Sequence, residues 1–98
     1  MSRIEKRVEN WKTTKQEAEL EEVISVLDKY FNGYWYIKGG TGSHNLYLEH
    51  PSMKLDGRYG PLGQLLIPTV SGRKVKPYYL KKIIEAINLL EDYDEKES

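Results

Sequence analysis

Residues 34–49 read YWYIKGGTGSHNLYLE, two short runs of aromatic and aliphatic residues around a glycine-rich centre. The first run, Tyr34–Lys38, has the aromatic and β-branched profile of a strand. The second run, Ser43–Glu49, alternates in the way that a strand with one buried face does. Its two faces carry His44, Leu46 and Leu48 on one side and Asn45, Tyr47 and Glu49 on the other. With Gly39–Gly42 as the turn, this stretch predicts a β-hairpin.

Two amphipathic helices are predicted before the hairpin. The first covers about Arg3–Trp11, and the second begins at Thr14, where Thr14 and Glu17 form a capping-box pattern. The second ends at Asn32-Gly33, residues that tolerate a left-handed backbone. The apolar positions at helical spacing are Ile4, Val8 and Trp11, then Leu20, Val23, Ile24, Leu27 and Phe31.

After the hairpin, residues 50–63 contain so many prolines and glycines that we expect a long loop. Gln64–Thr69 is the third predicted strand, and Ser71-Gly72 turns the chain again. Pro77 fits the first turn of a last helix, which is expected to end near Asp92. The buried stripe of that helix is predicted to be Leu80, Ile83, Ile84, Ile87 and Leu90.

The predicted element order is α-α-β-β-β-α, which indicates an α+β fold of two layers. A three-stranded antiparallel sheet would carry the helices on one face. We expect a single domain over residues 1–98, with a helical extension at residues 1–15 and an acidic, disordered tail at residues 93–98.

The composition is that of an ordinary soluble globular protein of 98 residues. The chain has no cysteine, which excludes disulfides, thiolate metal sites and cysteine nucleophiles. Neither a signal-peptide pattern nor a membrane-spanning apolar run is found, so a cytoplasmic location is expected.

The net charge of zero hides an uneven distribution. Residues 32–84 carry eight basic and two acidic side chains, whereas residues 85–98 carry one basic and six acidic side chains. A cluster that we call the basic edge lies around the start of the last helix and consists of Arg73, Lys74, Lys76, Lys81 and Lys82. Such a cluster suits the phosphates of a nucleic acid, although a solvated surface with local ion pairs explains the same charges.

His44 is the candidate catalytic residue because it follows a glycine-rich loop that can bring backbone close to a ligand. An imidazole titrates near neutral pH, so it can take a proton from a ribose 2′-hydroxyl or return one to a leaving oxygen. The alternative is that His44 is a hydrogen-bonded residue at the rim of the core. His50 is a less favoured helper for His44.

Three segments in order, GSHNLYLEHP, LLIP and GRKVKPYYLKKIIEAINLL, resemble the HicA/YcfA-like family of toxin domains. The resemblance covers Gly39 to Leu90 and is most specific in the Gly-Ser-His box and the Lys-Pro-Tyr-Tyr-Leu helix start. It implies a double-stranded-RNA-binding-like fold, metal-independent cleavage of mRNA by His44, and neutralisation by a HicB-like antitoxin protein. Gly42 and Ser43 would shape the approach to the phosphate, and Lys38 is the nearest basic residue before the box.

Two departures from the family pattern motivate a second hypothesis, a non-catalytic RNA-binding or protein-interaction domain that retains the fold. Many members carry Arg or Lys just before the box, where this chain has Gly39, Gly40 and Thr41. Many also carry a second histidine after the Ile-Pro of the third strand, where Thr69 and Val70 stand here.

Aromatic side chains leave a further alternative open. Exposed rings could stack on bases, and buried ones would belong to the core or to a partner interface. The candidates are Trp35, Tyr36, Tyr47, Tyr78 and Tyr79. No cofactor is implied, and the formation of homo-oligomers stays open.

Overall fold

A computed structural model describes residues 2–39 and 44–97. The helices in this part of the chain are α1 (Arg3–Trp11), α2 (Leu20–Tyr30), α3 (Pro51–Lys54) and α4 (Pro77–Glu97), with a 3₁₀ turn at Gly57–Tyr59. The strands are β1 (Ala18–Glu19), β2 (Trp35–Lys38), β3 (Asn45–Glu49), β4 (Gln64–Pro68) and β5 (Lys74–Val75).

The main sheet has the order β2-β3-β4 and is antiparallel throughout. The predicted hairpin is confirmed, with Trp35 opposite Leu48 and Lys38 opposite Asn45. Leu46 and Leu48 are fully buried, which confirms the predicted alternation along β3. One face of the sheet therefore belongs to the core and the other is left for outward-pointing side chains.

A second sheet of two short strands was not predicted. Ala18 lies opposite Val75 and Glu19 lies opposite Lys74. Two residues are too few to show an alternating pattern, so their pairing depends on tertiary structure alone.

The first helix is confirmed at its predicted bounds, and Val8 and Trp11 are buried. The predicted start of the second helix is wrong. The Thr14 hydroxyl oxygen accepts a hydrogen bond from the Gln16 amide at 3.2 Å, a local turn that competes with helix. The chain then extends through β1, and α2 begins at Leu20. The left-handed residue expected after this helix is present, since Gly33 has φ of +84°.

Residues 50–63 are more regular than the predicted loop. His50 caps α3, Pro51 occupies the first turn, and Asp56 caps the 3₁₀ turn that follows. Met53 and Tyr59 point into the core and anchor both elements. Glycine and proline content therefore misled the prediction, because proline at a helix start and short caps are compatible with brief helical turns.

The last helix, α4, begins at Pro77 as predicted, and the Lys76 carbonyl accepts hydrogen bonds from the Tyr79 and Leu80 amides at 3.0 and 3.2 Å. The predicted stripe is buried, from Leu80 to Leu90. The helix continues to Glu97, beyond the expected end at Asp92 and through most of the segment expected to be a disordered tail. Tyr93 packs its ring edge-on against His50.

The described residues form an α+β fold with small antiparallel sheets and one core that α1, α2, α4 and the main sheet share. The segment predicted as an N-terminal extension contributes Trp11 to that core. None of the helices in the described ranges combines the length and apolarity needed to cross a membrane.

Candidate nucleic-acid interface

His44 lies immediately before β3, and its side chain is exposed. The Thr69 hydroxyl donates a hydrogen bond to the His44 carbonyl oxygen, which ties the start of β3 to the residue after β4. Within residues 2–39 and 44–97, no side chain hydrogen-bonds or ion-pairs with the His44 ring.

A tight turn after β4 contacts the His44 ring. Ser71 and Gly72 both have positive φ, 55° and 66°, and the Arg73 amide donates to the Val70 carbonyl at 3.0 Å. These are the features of a type I′ turn, which confirms the predicted turn at Ser71-Gly72. A Cβ built on Gly72 would lie 3.2 Å from Cδ2 of His44. Arg73, the first residue of the basic edge, directly follows Gly72, the residue that lies against His44.

A small cavity of about 180 Å³ adjoins this corner. Its lining includes Pro68, Thr69 and Lys76, with Tyr79 from the first turn of α4. Thr69 is thus shared between the cavity and the contact with His44. The residue after β4 therefore links His44, through a hydrogen bond, to a cavity that Lys76 lines.

The basic edge divides into paired and unpaired cations. The Lys74 ammonium lies 3.7 Å from a Glu19 carboxylate oxygen, and the Lys82 ammonium lies 3.8 Å from one of Glu85. Lys82 also lies 5.4 Å from the Tyr78 ring centroid. In the described part of the chain, Arg73, Lys76 and Lys81 have no such partner. These three are the cations best able to meet phosphates.

The remaining predicted site residues precede His44. Lys38 ends β2 and is exposed, opposite Asn45, the residue after His44. Gly42 and Ser43 lie outside the described residues.

His50 does not approach His44, because the two histidines flank opposite ends of the five-residue strand β3. It is a structural residue. Its Nδ1 accepts a hydrogen bond from the Ser52 amide at 3.0 Å and lies 2.8 Å from the Ser52 hydroxyl. The residue is 8% exposed, and Phe31, Tyr34 and Tyr93 pack edge-on around its ring. This burial lowers the pKa of His50, and the nearby Asp94 carboxylate opposes the shift in part.

The aromatic candidates separate into packed and exposed rings. Trp35 and Tyr79 pack against the core, and the Trp35 indole donates to Asp28 at 2.9 Å. Tyr78 is 61% exposed on α4. Tyr36 and Tyr47 lie on the outer face of the sheet with their rings nearly parallel, 8° apart in plane and 5.1 Å between centroids. Neither their shared face nor the ring stack was predicted from the sequence.

Sequence reasoning missed the two residues that hold His44 in place. Thr69 was noted only as a departure from the family pattern, and Gly72 only as a turn residue. A glycine in a tight turn is a signal of close backbone approach, but the sequence does not identify the group that approaches.

No group of three His, Asp or Glu side chains suited to holding a metal ion occurs among the described residues. In comparisons with known proteins, no family model, curated protein or solved structure matches the chain.

Proposed function

We propose that this chain is a HicA-like RNA-binding module, with a double-stranded-RNA-binding-like fold, that cleaves mRNA with His44 as general acid/base. The observation that carries the proposal is the contact of an exposed His44 with the Gly72 turn, which leads directly into the basic edge. An imidazole next to a turn that leads into a cluster of cations suits a substrate in which a hydroxyl and a phosphate are neighbours, and each RNA nucleotide is such a substrate.

The proposed cleavage uses the nucleic acid's own nucleophile. The His44 imidazole takes the proton of a ribose 2′-hydroxyl as the 2′-oxygen attacks the adjacent phosphorus. The P–O5′ bond breaks, the leaving 5′-oxygen takes a proton from water, and a 2′,3′-cyclic phosphate remains, while protonated His44 returns its proton to the solvent. DNA has the same phosphates, so it would bind to the same cations. It would stay intact because it lacks the 2′-hydroxyl.

The supporting residues act on the phosphate backbone. Arg73, Lys76 and Lys81 are the cations of the basic edge that have no carboxylate partner among the described residues. Lys38 is a further cation and lies opposite Asn45, the residue after His44. Gly42 and Ser43, which lie outside the described residues, are the residues to which the family resemblance assigns the approach to the phosphate. Lys74 and Lys82 contribute less, because each already has a carboxylate partner.

The decisive experiment compares the wild-type chain with His44→Gln on a mixed-sequence RNA, with and without a chelator. The variant keeps the backbone carbonyl that Thr69 binds, so the folded structure should be retained. We expect cleavage by wild type in both buffers and a loss of about 10²- to 10⁴-fold in the variant. An unchanged thermal midpoint shows that the loss is chemical. RNA left intact by the wild-type chain, or equal cleavage by both, contradicts the enzymatic proposal.

A non-catalytic RNA-binding domain is the second candidate. It is favoured by the described surroundings of His44, whose ring has no hydrogen-bond partner there, and by Thr69 at the position where the family resemblance leads us to expect a second histidine. This reading predicts RNA binding that weakens with salt, survives His44→Gln and yields no product. Failure to bind any RNA would remove both candidates.

The proposed partner is a HicB-like antitoxin protein, and the mRNA substrate places the site of action in the cytoplasm. Expression of this chain alone should arrest growth. Where a HicB-like gene lies beside the gene for this chain, co-expression should restore growth and the two chains should co-purify. Growth that continues at a verified level of the chain contradicts the toxin reading.

A further inference from the structure

The outer face of the main sheet carries an apolar row that crosses all three strands. Tyr36 lies opposite Tyr47, and Tyr47 lies opposite Leu66. Their alternation partners Leu46, Leu48 and Ile67 are buried on the other face, so this row points away from the core. Tyr36 is 41% exposed and Leu66 is 44% exposed. The row is therefore available for contact with a flat apolar group.

The two tyrosine rings are held in place. The Tyr36 hydroxyl accepts a hydrogen bond from the Gln64 side-chain amide at 3.1 Å and donates to Glu49 at 3.4 Å. The same Gln64 amide nitrogen donates to Glu49 at 2.6 Å. These hydrogen bonds restrain the Tyr36 side chain, which is already parallel to Tyr47. A base that stacks on these rings therefore causes little further loss of side-chain conformational entropy.

The next row toward His44 is polar. Lys38, Asn45 and Pro68 lie opposite one another, two residues along each strand from the apolar row. That step is about 6.8 Å, comparable to the spacing of bases in an extended single strand. Lys38 supplies a cation and Asn45 an amide, while Pro68 also lines the cavity that contains Lys76. The face is therefore basic at the His44 end, whereas its carboxylate, Glu49, is at the far end.

We propose that this face binds single-stranded RNA, with one or two bases stacked on Tyr36 and Tyr47 and the backbone directed past Lys38 toward His44. This inference rests on the proposed RNA binding and specifies its substrate. Aromatic rings accept any base face, whereas the bases of a duplex are already stacked on one another and offer no free face. Lys38, at the His44 end of the face, would contact the phosphates of the nucleotides that follow the stacked bases.

The test uses the full chain with His44→Gln, so that the probe is not cut. Fluorescence anisotropy measures the binding of a short labelled oligoadenosine and of a blunt RNA duplex of equal length. Tyr36→Leu and Tyr47→Leu remove the rings, Tyr36→Phe restores one ring without its hydroxyl, and Tyr78→Leu is the matched control. Tyr78 is the more exposed tyrosine and lies on α4.

We expect each outer-face leucine variant to bind oligoadenosine about tenfold more weakly. Tyr36→Phe should bind more tightly than Tyr36→Leu, because it keeps the ring, and more weakly than the parent, because it loses the hydrogen bonds that order the ring. Tyr78→Leu should bind as the parent does, and duplex binding should not change with any tyrosine variant. Unchanged oligoadenosine binding in Tyr47→Leu, or a parent that binds the duplex and not the single strand, overturns the stacking proposal while RNA binding stands. A parent that binds neither probe overturns both proposals.

A second copy of this chain is the other molecule that could cover the face, and the oligomeric state in solution tests for it. If the parent is a dimer by light scattering and Tyr36→Leu is a monomer, the face is an interface between copies and the stacking proposal is overturned. A parent that stays monomeric while the leucine variants lose oligoadenosine binding supports the proposal.

Discussion

The Cδ2 atom of His44 lies 3.2 Å from the point where a Cβ on Gly72 would stand. Gly72 also has φ of +66°, in the left-handed region that L side chains rarely adopt. The candidate catalytic residue therefore lies against a backbone position where a side chain would be strained and would push the His44 ring aside.

Gly72→Ala should destabilise the fold by about 1–2 kcal/mol through its backbone conformation, and should also displace the His44 ring. Urea unfolding measures the first effect, and the NMR chemical shifts of the His44 ring measure the second. Gly33→Ala is the matched control, since Gly33 has φ of +84° and a Cβ there would meet nothing within 4 Å. Equal His44 shifts in both variants would contradict the contact.

Arg73→Ala and Lys76→Ala should each weaken RNA binding and lower the slope of log affinity against log salt by about 0.7 for a single strand. The reason is that neither cation has a carboxylate partner among the described residues. Lys74→Ala is the control, because its ammonium is already 3.7 Å from Glu19. We expect a smaller change there. Salt titrations of binding to one RNA compare the three variants, and equal losses would show that the ion pair does not weaken the contribution of Lys74.

His50 should make stability fall as the solution is acidified below pH 6.5. Burial holds its folded-state pKa below the ordinary value of 6.5, so in this range the unfolded chain binds more protons than the folded one. The loss begins as pH falls through the unfolded pKa and is complete below the folded pKa. Protonation of Nδ1 would also remove the acceptor for the Ser52 amide.

His50→Asn is the variant that isolates this effect, since asparagine can cap a helix and does not titrate. Denaturant unfolding at a series of pH values should show a shallower slope between pH 5 and pH 7 for the variant. The charged groups near the ring include Asp94 at the end of α4, which limits the size of the effect. The same slope in both chains would show that His50 does not control stability in this range.

Trp11→Ala should destabilise the chain by about 3–5 kcal/mol, because the indole is 2% exposed within the shared core. The measurement is the free energy of unfolding in urea. Tyr78→Ala is the control and should change it by no more than about 0.5 kcal/mol. A small effect at Trp11 would support the prediction that residues 1–15 are an extension. It would mean that the fold is stable without the packing of α1.

The parts of the fold that were predicted correctly are those with a long, repeated local pattern. The α4 stripe from Leu80 to Leu90 spans several turns, and β3 alternates cleanly between Leu46 and its neighbours. The start of α2 was mispredicted because a capping pattern at Thr14 was satisfied by a local turn instead. Residues 50–63 were mispredicted because each short element there buries one hydrophobic side chain, Met53 or Tyr59, and one residue shows no helical or strand spacing.

The same distinction applies to the candidate site. The sequence by itself determined that an imidazole follows a glycine-rich loop, that cations gather around the start of α4, and that two aromatic and aliphatic runs form a hairpin. Only the tertiary structure decided which groups contact His44, which cations have partners and that the two rings stack. Those relationships join residues from separate elements, such as His44 with Thr69 and Gly72, and they arise when β3, β4 and the turn before β5 pack together. A local pattern reports the period of one element, whereas a contact depends on how elements are placed.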